Sequence, residues 1–246
     1  MQRSIRYIIH LDDPHASDPL FLQSLGRALA LAALRPAPII VHGSAEVAEH
    51  LLEAEGIFHQ REGGVIPIQS LREHQLVERA GRHLNQQISA ILNEAALANV
   101  AVFGTQRRAL VVEDGRVHAR DGAWIAELSK QGVTPIVAAF ARDAEGERSG
   151  EVPLVDAELA IAHLLHPEPV EVVIFTRTNL PGIMEGGRTI EQINIGDPKI
   201  VASVSDRIGM EMIVNAGYSV LLTNTTRLAD RTGPVGTHVR KDHIDP

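Results

Sequence analysis

The chain has 246 residues, a length that suits one large α/β domain or two tightly joined lobes. Hydrophobic residues make up 44% and aromatics 3%, so the core must be built from Ala, Leu, Ile and Val, as in parallel sheets covered by helices. A net charge of −8 opposes nonspecific nucleic-acid binding, the lack of cysteine excludes disulfides and thiolate metal sites, and no apolar run reaches the ~18 residues that span a bilayer. The basic start, Met1–Arg6, runs straight into a strand pattern without the apolar stretch of a signal peptide, so a soluble cytoplasmic protein is the expectation.

Strand and helix signals then alternate. Ile5–Leu11 reads as a buried strand, and Pro19–Leu34 as a helix with Leu20, Phe21, Leu25, Leu29 and Leu31 near helical spacing. Pro38–His42 is a second strand, and Ala45–Glu55 a helix closed by Gly56. Ser70–Ala98 reads as one long helix with Leu71, Val77, Leu84, Ile88, Ile91 and Leu92 on its apolar side, which serves the core or a subunit interface. Ala101–Phe103 and Ala109–Glu113 are short strands, and Asp114-Gly115 between Val112 and Val117 is a hairpin signal. Trp124–Gln131 is a helix, Thr134–Ala139 a strand, and Asp143–Gly150 a loop or hairpin tip. Asp156–Leu165 is a helix, Val170–Thr176 a strand, Gly186-Gly187 a hairpin turn and Asp197-Pro198-Lys199 a helix or turn start. Ser205–Ala216 is a helix and Ser219–Thr223 a strand, while Arg240–Pro246 is a loose polar end. The βα order predicts a three-layer αβα sandwich around a central, mainly parallel sheet.

His10, Asp12, Asp13, His15 and His42 would converge at the C-terminal ends of neighbouring strands, the edge where open α/β sheets bind ligands. That spacing could ligate a divalent metal or an oxyanion. The plainer reading, which we favour, is a solvated loop with Asp capping the helix at Pro19 and the histidines as polar loop residues. Arg107-Arg108 could meet an anion or simply form an exposed turn.

Gly209-Met210-Glu211-Met212-Ile213, ahead of Ser219–Thr223, resembles the Gly-Met-x-x-Lys segment of the amino-acid kinase family, with acetylglutamate kinases the nearest members. Ile39–Gly43 resembles the strand entering the family's second glycine loop, and Leu76–Asn93 its long central helix. Thr134–Val137 resembles its Ile-Pro-Val-Ile strand, Val173–Ile183 the segment ending in Pro-Gly, and Pro234–Thr237 the closing Gly-Thr strand. The order of these segments covers more than ~200 residues. The resemblance implies one domain over 1–246. A lobe at about 1–165 would take an acyl substrate and a lobe at about 166–246 a nucleotide. It also implies ATP and magnesium as cofactors, a small-molecule carboxylate as ligand, and a homo-oligomer.

The catalytic motifs depart from that pattern. The family's first loop is Lys-x-Gly-Gly; here it reads His10-Leu11-Asp12-Asp13. By resemblance His10 and Asp156 stand at catalytic positions. Asp12, Asp13, Gly43, Ser44, Thr176, Arg177, Gly182 and Lys199 stand at substrate or nucleotide positions. The second glycine loop retains only Gly43 in Gly43-Ser44-Ala45, and Ile213 replaces the second lysine. Gly64–Pro67 lacks the family's carboxylate-clamping arginine, Leu154-Val155-Asp156 keeps only the aspartate of Asn-Ala-Asp, and Thr176-Arg177 replaces Thr-Asp. Asp156 would orient catalytic groups or simply cap its helix, and Arg177 or Lys199 could supply a compensating cation. Phosphoryl transfer depends on electrostatic stabilisation, so these changes predict lost or altered phosphorylation and a ligand-binding or regulatory role. An active kinase on a small acid and a metal- or oxyanion-binding protein are the alternatives.

Overall fold

The computed structural model describes residues 5–146, 148–230 and 233–241. The first half runs β1 (Arg6–Leu11), α1 (Asp13–Ala16), α2 (Pro19–Ala32), β2 (Ile39–His42), α3 (Ala45–Ala54), α4 (Leu71–Glu94), β3 (Asn99–Phe103), β4 (Val111–Glu113), β5 (Arg116–His118), α5 (Ala123–Lys130) and β6 (Thr134–Ala138). It continues with β7 (Phe140–Asp143), β8 (Ser149–Glu151), α6 (Leu154–Leu164), β9 (Val170–Phe175), β10 (Met184–Glu185), β11 (Arg188–Thr189), β12 (Gln192–Asn194), α7 (Arg207–Asn215), β13 (Ser219–Thr223), α8 (Thr225–Leu228) and β14 (Thr237–Arg240).

Eight strands form the central sheet in the order β12-β14-β13-β9-β1-β2-β6-β3. Every pairing in it is parallel except β13 with β14. Alternate residues of each strand serve opposite faces. Ile8, Val41, Val172, Ile174 and Leu222 join one core with Ile125 of α5, Ile161 of α6 and Ile213 of α7. Ile9, Leu11, Ile40, Val173, Phe175 and Leu221 join the other with Leu22 and Leu25 of α2 and Leu84 and Ile88 of α4. A strand buried on both faces favours a long apolar run, as in Val170–Phe175, where Glu171 is the one polar residue. The αβα sandwich expected from the sequence is the observed architecture. β1 lies between β2 and β9, so the chain leaves it in one direction and returns later on the other side. That is a switch point, where an open α/β sheet leaves a crevice beyond its strand ends.

Local differences have physical causes. α4 ends at Glu94, short of Ala98, because Ala96 adopts φ +60° and Asn99 already pairs in β3. Leu20, Leu31 and Leu71 are exposed, so they do not belong to the apolar stripes of α2 and α4. β4 starts at Val111, since Arg107 and Arg108 take left-handed φ in a 3-10 turn. Arg240 belongs to β14; the remainder of that polar end, from 242, lies outside the described residues, as does 1–4 of the basic start. Asp114-Gly115 and Gly186-Gly187 form the two expected hairpin turns, each residue at positive φ. Asp197 accepts from the Lys199 N–H and starts a 3-10 turn.

Candidate functional site

The C-terminal ends of β1 and β2 open into a cavity of about 340 Å³. His10 lies near the end of β1 with Asp12 and Asp13 just after it, Gly43 and Ala45 follow β2, and Glu151 to Val155 run from the end of β8 into α6. Arg61, Gly63 and Gly64 come from the segment between α3 and α4, and Asp206 from the start of α7. Its ionisable lining is thus four carboxylates, Asp12, Asp13, Glu151 and Asp206, against His10 and Arg61.

Most of these charges are already engaged within the chain. His10 is 2% exposed, and its Nδ1 lies 2.8 Å from Oε1 of Glu158, which is fully buried on α6. Burial works against charge on His10, yet the carboxylate and hydrogen bond of Glu158 outweigh it and push the imidazole pKa up to about 9. Burial also raises Glu158, with the His10 charge pulling the other way. Asp12 caps α1 by accepting from the His15 N–H at 3.2 Å, and it also pairs with the His15 ring. Burial would raise its carboxyl, but His15 and then His10 hold it below its usual range. Asp13 is raised by burial despite a 2.5 Å contact with Arg61. The other guanidinium nitrogens of Arg61 grip Glu49 of α3 at 2.7 and 2.6 Å.

The second loop is occupied from within as well. Glu151 Oε1 accepts from the Ser44 backbone N–H and, at 3.0 Å, from its hydroxyl. Glu151 Oε2 is buried and has no partner among the described residues. Burial, with the nearby Asp13 charge adding to it, pushes the Glu151 carboxyl up to about 7 against the pull of Ser44.

Of the residues singled out in the sequence, His10, Asp12, Asp13 and Gly43 line this cavity, with Ser44 buried at its edge. Asp156 is not in the lining, and it is not a cap: α6 begins at Leu154 with Pro153 as N-cap. Leu154 and Val155 line the cavity instead. Thr176 is buried and donates its hydroxyl to Leu180 O at 2.7 Å. Arg177 is exposed, and its backbone N–H donates to Ser203 O at 3.0 Å. Gly182 has φ +136°, and a Cβ there would strike Thr237 Oγ1. Lys199 pairs with Glu185 on β10. None of these four lines the cavity. Ile213 is fully buried in the core, so no cation comes from its position. His10, Asp12 and Asp13 turn to three different partners, and among the described residues no group of three or more acidic or histidine side chains is arranged to hold a metal. His15 is taken up by Asp12, and His42 faces Gly43 O at 2.8 Å and is fully buried.

Sequence reasoning missed Arg61, Glu151, Glu158 and Asp206. Glu158 had a signal, being a charged residue three positions after Val155 and three before Ile161 on a buried helical face. Asp206 had one too, three residues before Gly209 at a helix start. Arg61 and Glu151 had none, since their partners lie 12, 48 and 107 residues away.

A crevice at the switch point of a mainly parallel sheet, lined by residues at and after the ends of β1 and β2, lies where open α/β folds place their ligands. The profile of the Amino acid kinase family matches residues 11–234, and the chain belongs to that family. No curated protein matches it in sequence. Among solved structures it is similar to N-acetylglutamate synthase from Neisseria gonorrhoeae, complexed with coenzyme A and N-acetyl-glutamate (TM-score 0.69, 14% identity, 98% of this chain), of which it spans 61%. It is also similar to smu.665 from Streptococcus mutans UA159 (TM-score 0.64, 17% identity, 96% of this chain and 98% of that one). E. coli aspartokinase III in complex with aspartate and ADP gives a TM-score of 0.59 at 14% identity, covering 97% of this chain and 65% of that one.

Proposed function

We propose that this chain is a divergent member of its family that binds a small molecule in the cleft, as a ligand-binding or regulatory homo-oligomer, without ATP-dependent carboxylate phosphorylation. The observation that carries this reading is the occupied second loop: the Ser44 N–H, which would face a phosphate, already serves Glu151. The surrounding charge supports it. An ATP phosphate at this edge would meet Asp12, Asp13 and Glu151, and like charges ~4 Å apart repel by about 1 kcal/mol in water and about 4 kcal/mol near a protein surface. The lysine expected at position 213 is a buried isoleucine. The residues present therefore do not fit ATP and magnesium as a phosphate cradle. The homo-oligomer and cytoplasmic setting remain part of the proposal, the first supported by the family resemblance. Among the described residues no helix is long and apolar enough to cross a membrane, and the −8 charge supports a small molecule over nucleic acid as partner.

The test is acyl-phosphate trapping with ATP, magnesium and a panel of small acids including N-acetylglutamate, glutamate and aspartate. No product above background is expected. Turnover of about 1 per second, within the common range for kinases, would overturn the reading. An active kinase is the second reading, favoured by one observation: the His10–Glu158 pair places a charged imidazole where the family's first lysine would stand. The same assay decides between them.

A further inference from the structure

Helix N-termini attract anions because their first N–H groups lack intrahelical acceptors and the helix dipole adds partial positive charge. α3 begins with Ser44 as N-cap, and the Ser44 side chain makes no bond to the helix's own amides. An anion is nevertheless present at this end, and it belongs to the chain. Glu151, arriving from β8, accepts from both the N–H and the hydroxyl of Ser44. A Cβ at Gly43 would sit 3.5 Å from Glu151 Oε1 and 3.9 Å from Asp13 Oδ1, ordinary contact distances, so both carboxylates lie directly beside this residue. Two carboxylates thus flank the first residue of the loop.

We infer that Glu151 is a tethered substitute for an external oxyanion: its carboxylate fills the position at the α3 N-terminus that a phosphate or a ligand's carboxylate would take, and so closes this end of the cleft to anions. A plain tie between β8 and α3 would need an acceptor but no charge, and glutamine would supply it. The cost of the charge is visible in Glu151 Oε2, which is buried with no partner among the described residues. Burial raises its carboxyl to about 7, with Ser44 pulling it down, Asp13 adding to the rise and Arg61 opposing it. On the reading of the cleft as non-phosphorylating, on which this inference rests, the plug explains why a family loop with its backbone donor intact no longer serves phosphate.

The experiment titrates inorganic phosphate into the full chain at about pH 8, with the Ser44 amide followed by NMR, for wild type, Glu151→Gly and Glu151→Gln. Wild type should leave the Ser44 amide unmoved. Glu151→Gly should bind phosphate at least about tenfold more tightly, with the Ser44 amide shifting on saturation. Glu151→Gln, which keeps the acceptor and loses the charge, should fall between. No gain in a folded Glu151→Gly chain, or a wild-type Ser44 amide that responds to phosphate, would overturn the inference. Should Glu151→Gly not fold, Glu151→Gln decides: no gain in phosphate affinity over wild type and an unmoved Ser44 amide in that variant reject the plug. These readouts are independent of turnover, so phosphorylation by the wild-type chain would sink the preceding proposal by a different signal.

Discussion

Glu158 is a carboxylate on a helix face that is otherwise built from Val155, Ala157, Ile161 and Ala162. Its only observed compensation is His10, since Glu158 Oε2 has no partner among the described residues. A buried pair adds little net stability, but removing one member strands the other charge and costs about 3–5 kcal/mol. Glu158→Gln should lower unfolding stability by less than that at neutral pH, read by urea denaturation, because buried His10 without Glu158 gives up its proton there. The pH dependence has a definite sign. The His10 pKa is raised to about 9 from 6.5, so its contribution is complete below 6.5 and is lost as pH rises through about 9. The wild type should weaken over that alkaline range, and Glu158→Gln should not share the decline; equal alkaline slopes would show that the pair is not ionised. His42 acts oppositely. Buried and lowered to about 4, it favours the folded state above 6.5 and withdraws that support as pH falls towards 4. At this scale His10, Asp12 and Asp13 could be read from sequence, because they stand at the end of a strand and directly after it. Their partners could not, because Arg61, Glu151 and Glu158 approach from elements distant in the chain.

At the scale of the element, α7 shows why a glycine stands at position 209, four residues before the buried Ile213. Asp206 caps the helix by accepting from the Gly209 N–H at 2.8 Å. A Cβ at Gly209 would collide with the Asp206 carboxylate. The glycine is thus explained by the cap alone, with no bound phosphate required. Gly209→Ala should cost about 1–2 kcal/mol, comparable with loss of the cap in Asp206→Ala. The two changes should be less than additive, because both remove one interaction. Thermal or urea unfolding of the three variants checks this, and strict additivity would mean that glycine and cap act separately. Most elements were legible because their apolar periods are long and regular. The ends were less so: Leu154 starts α6 without a side-chain cap, and left-handed Ala96 stops α4 without the glycine that would signal it.

For the whole molecule, the alternating allegiance of Ile8 and Ile9, or Val172 and Val173, to opposite cores forces a sheet covered on both sides. The sequence pattern carried that much. It carried the cavity's location too, since β1 ends in His10-Leu11-Asp12-Asp13 at the switch point. It could not show that the cavity's cations are committed, Arg61 to Asp13 and Glu49 and His10 to Glu158. That commitment is central: the cleft's positive charge is already paired within the chain, while four carboxylates share its lining. The most direct test is calorimetric titration of Mg-ATP into wild type and into the double variant Asp12→Gly, Asp13→Gly. Removing a repulsion of ~1–2 kcal/mol should tighten binding roughly five- to thirty-fold, with Arg61 left on Glu49. Tight binding by wild type that the double change weakens would contradict the account, because the two aspartates would then be holding the nucleotide's magnesium instead of repelling its phosphates.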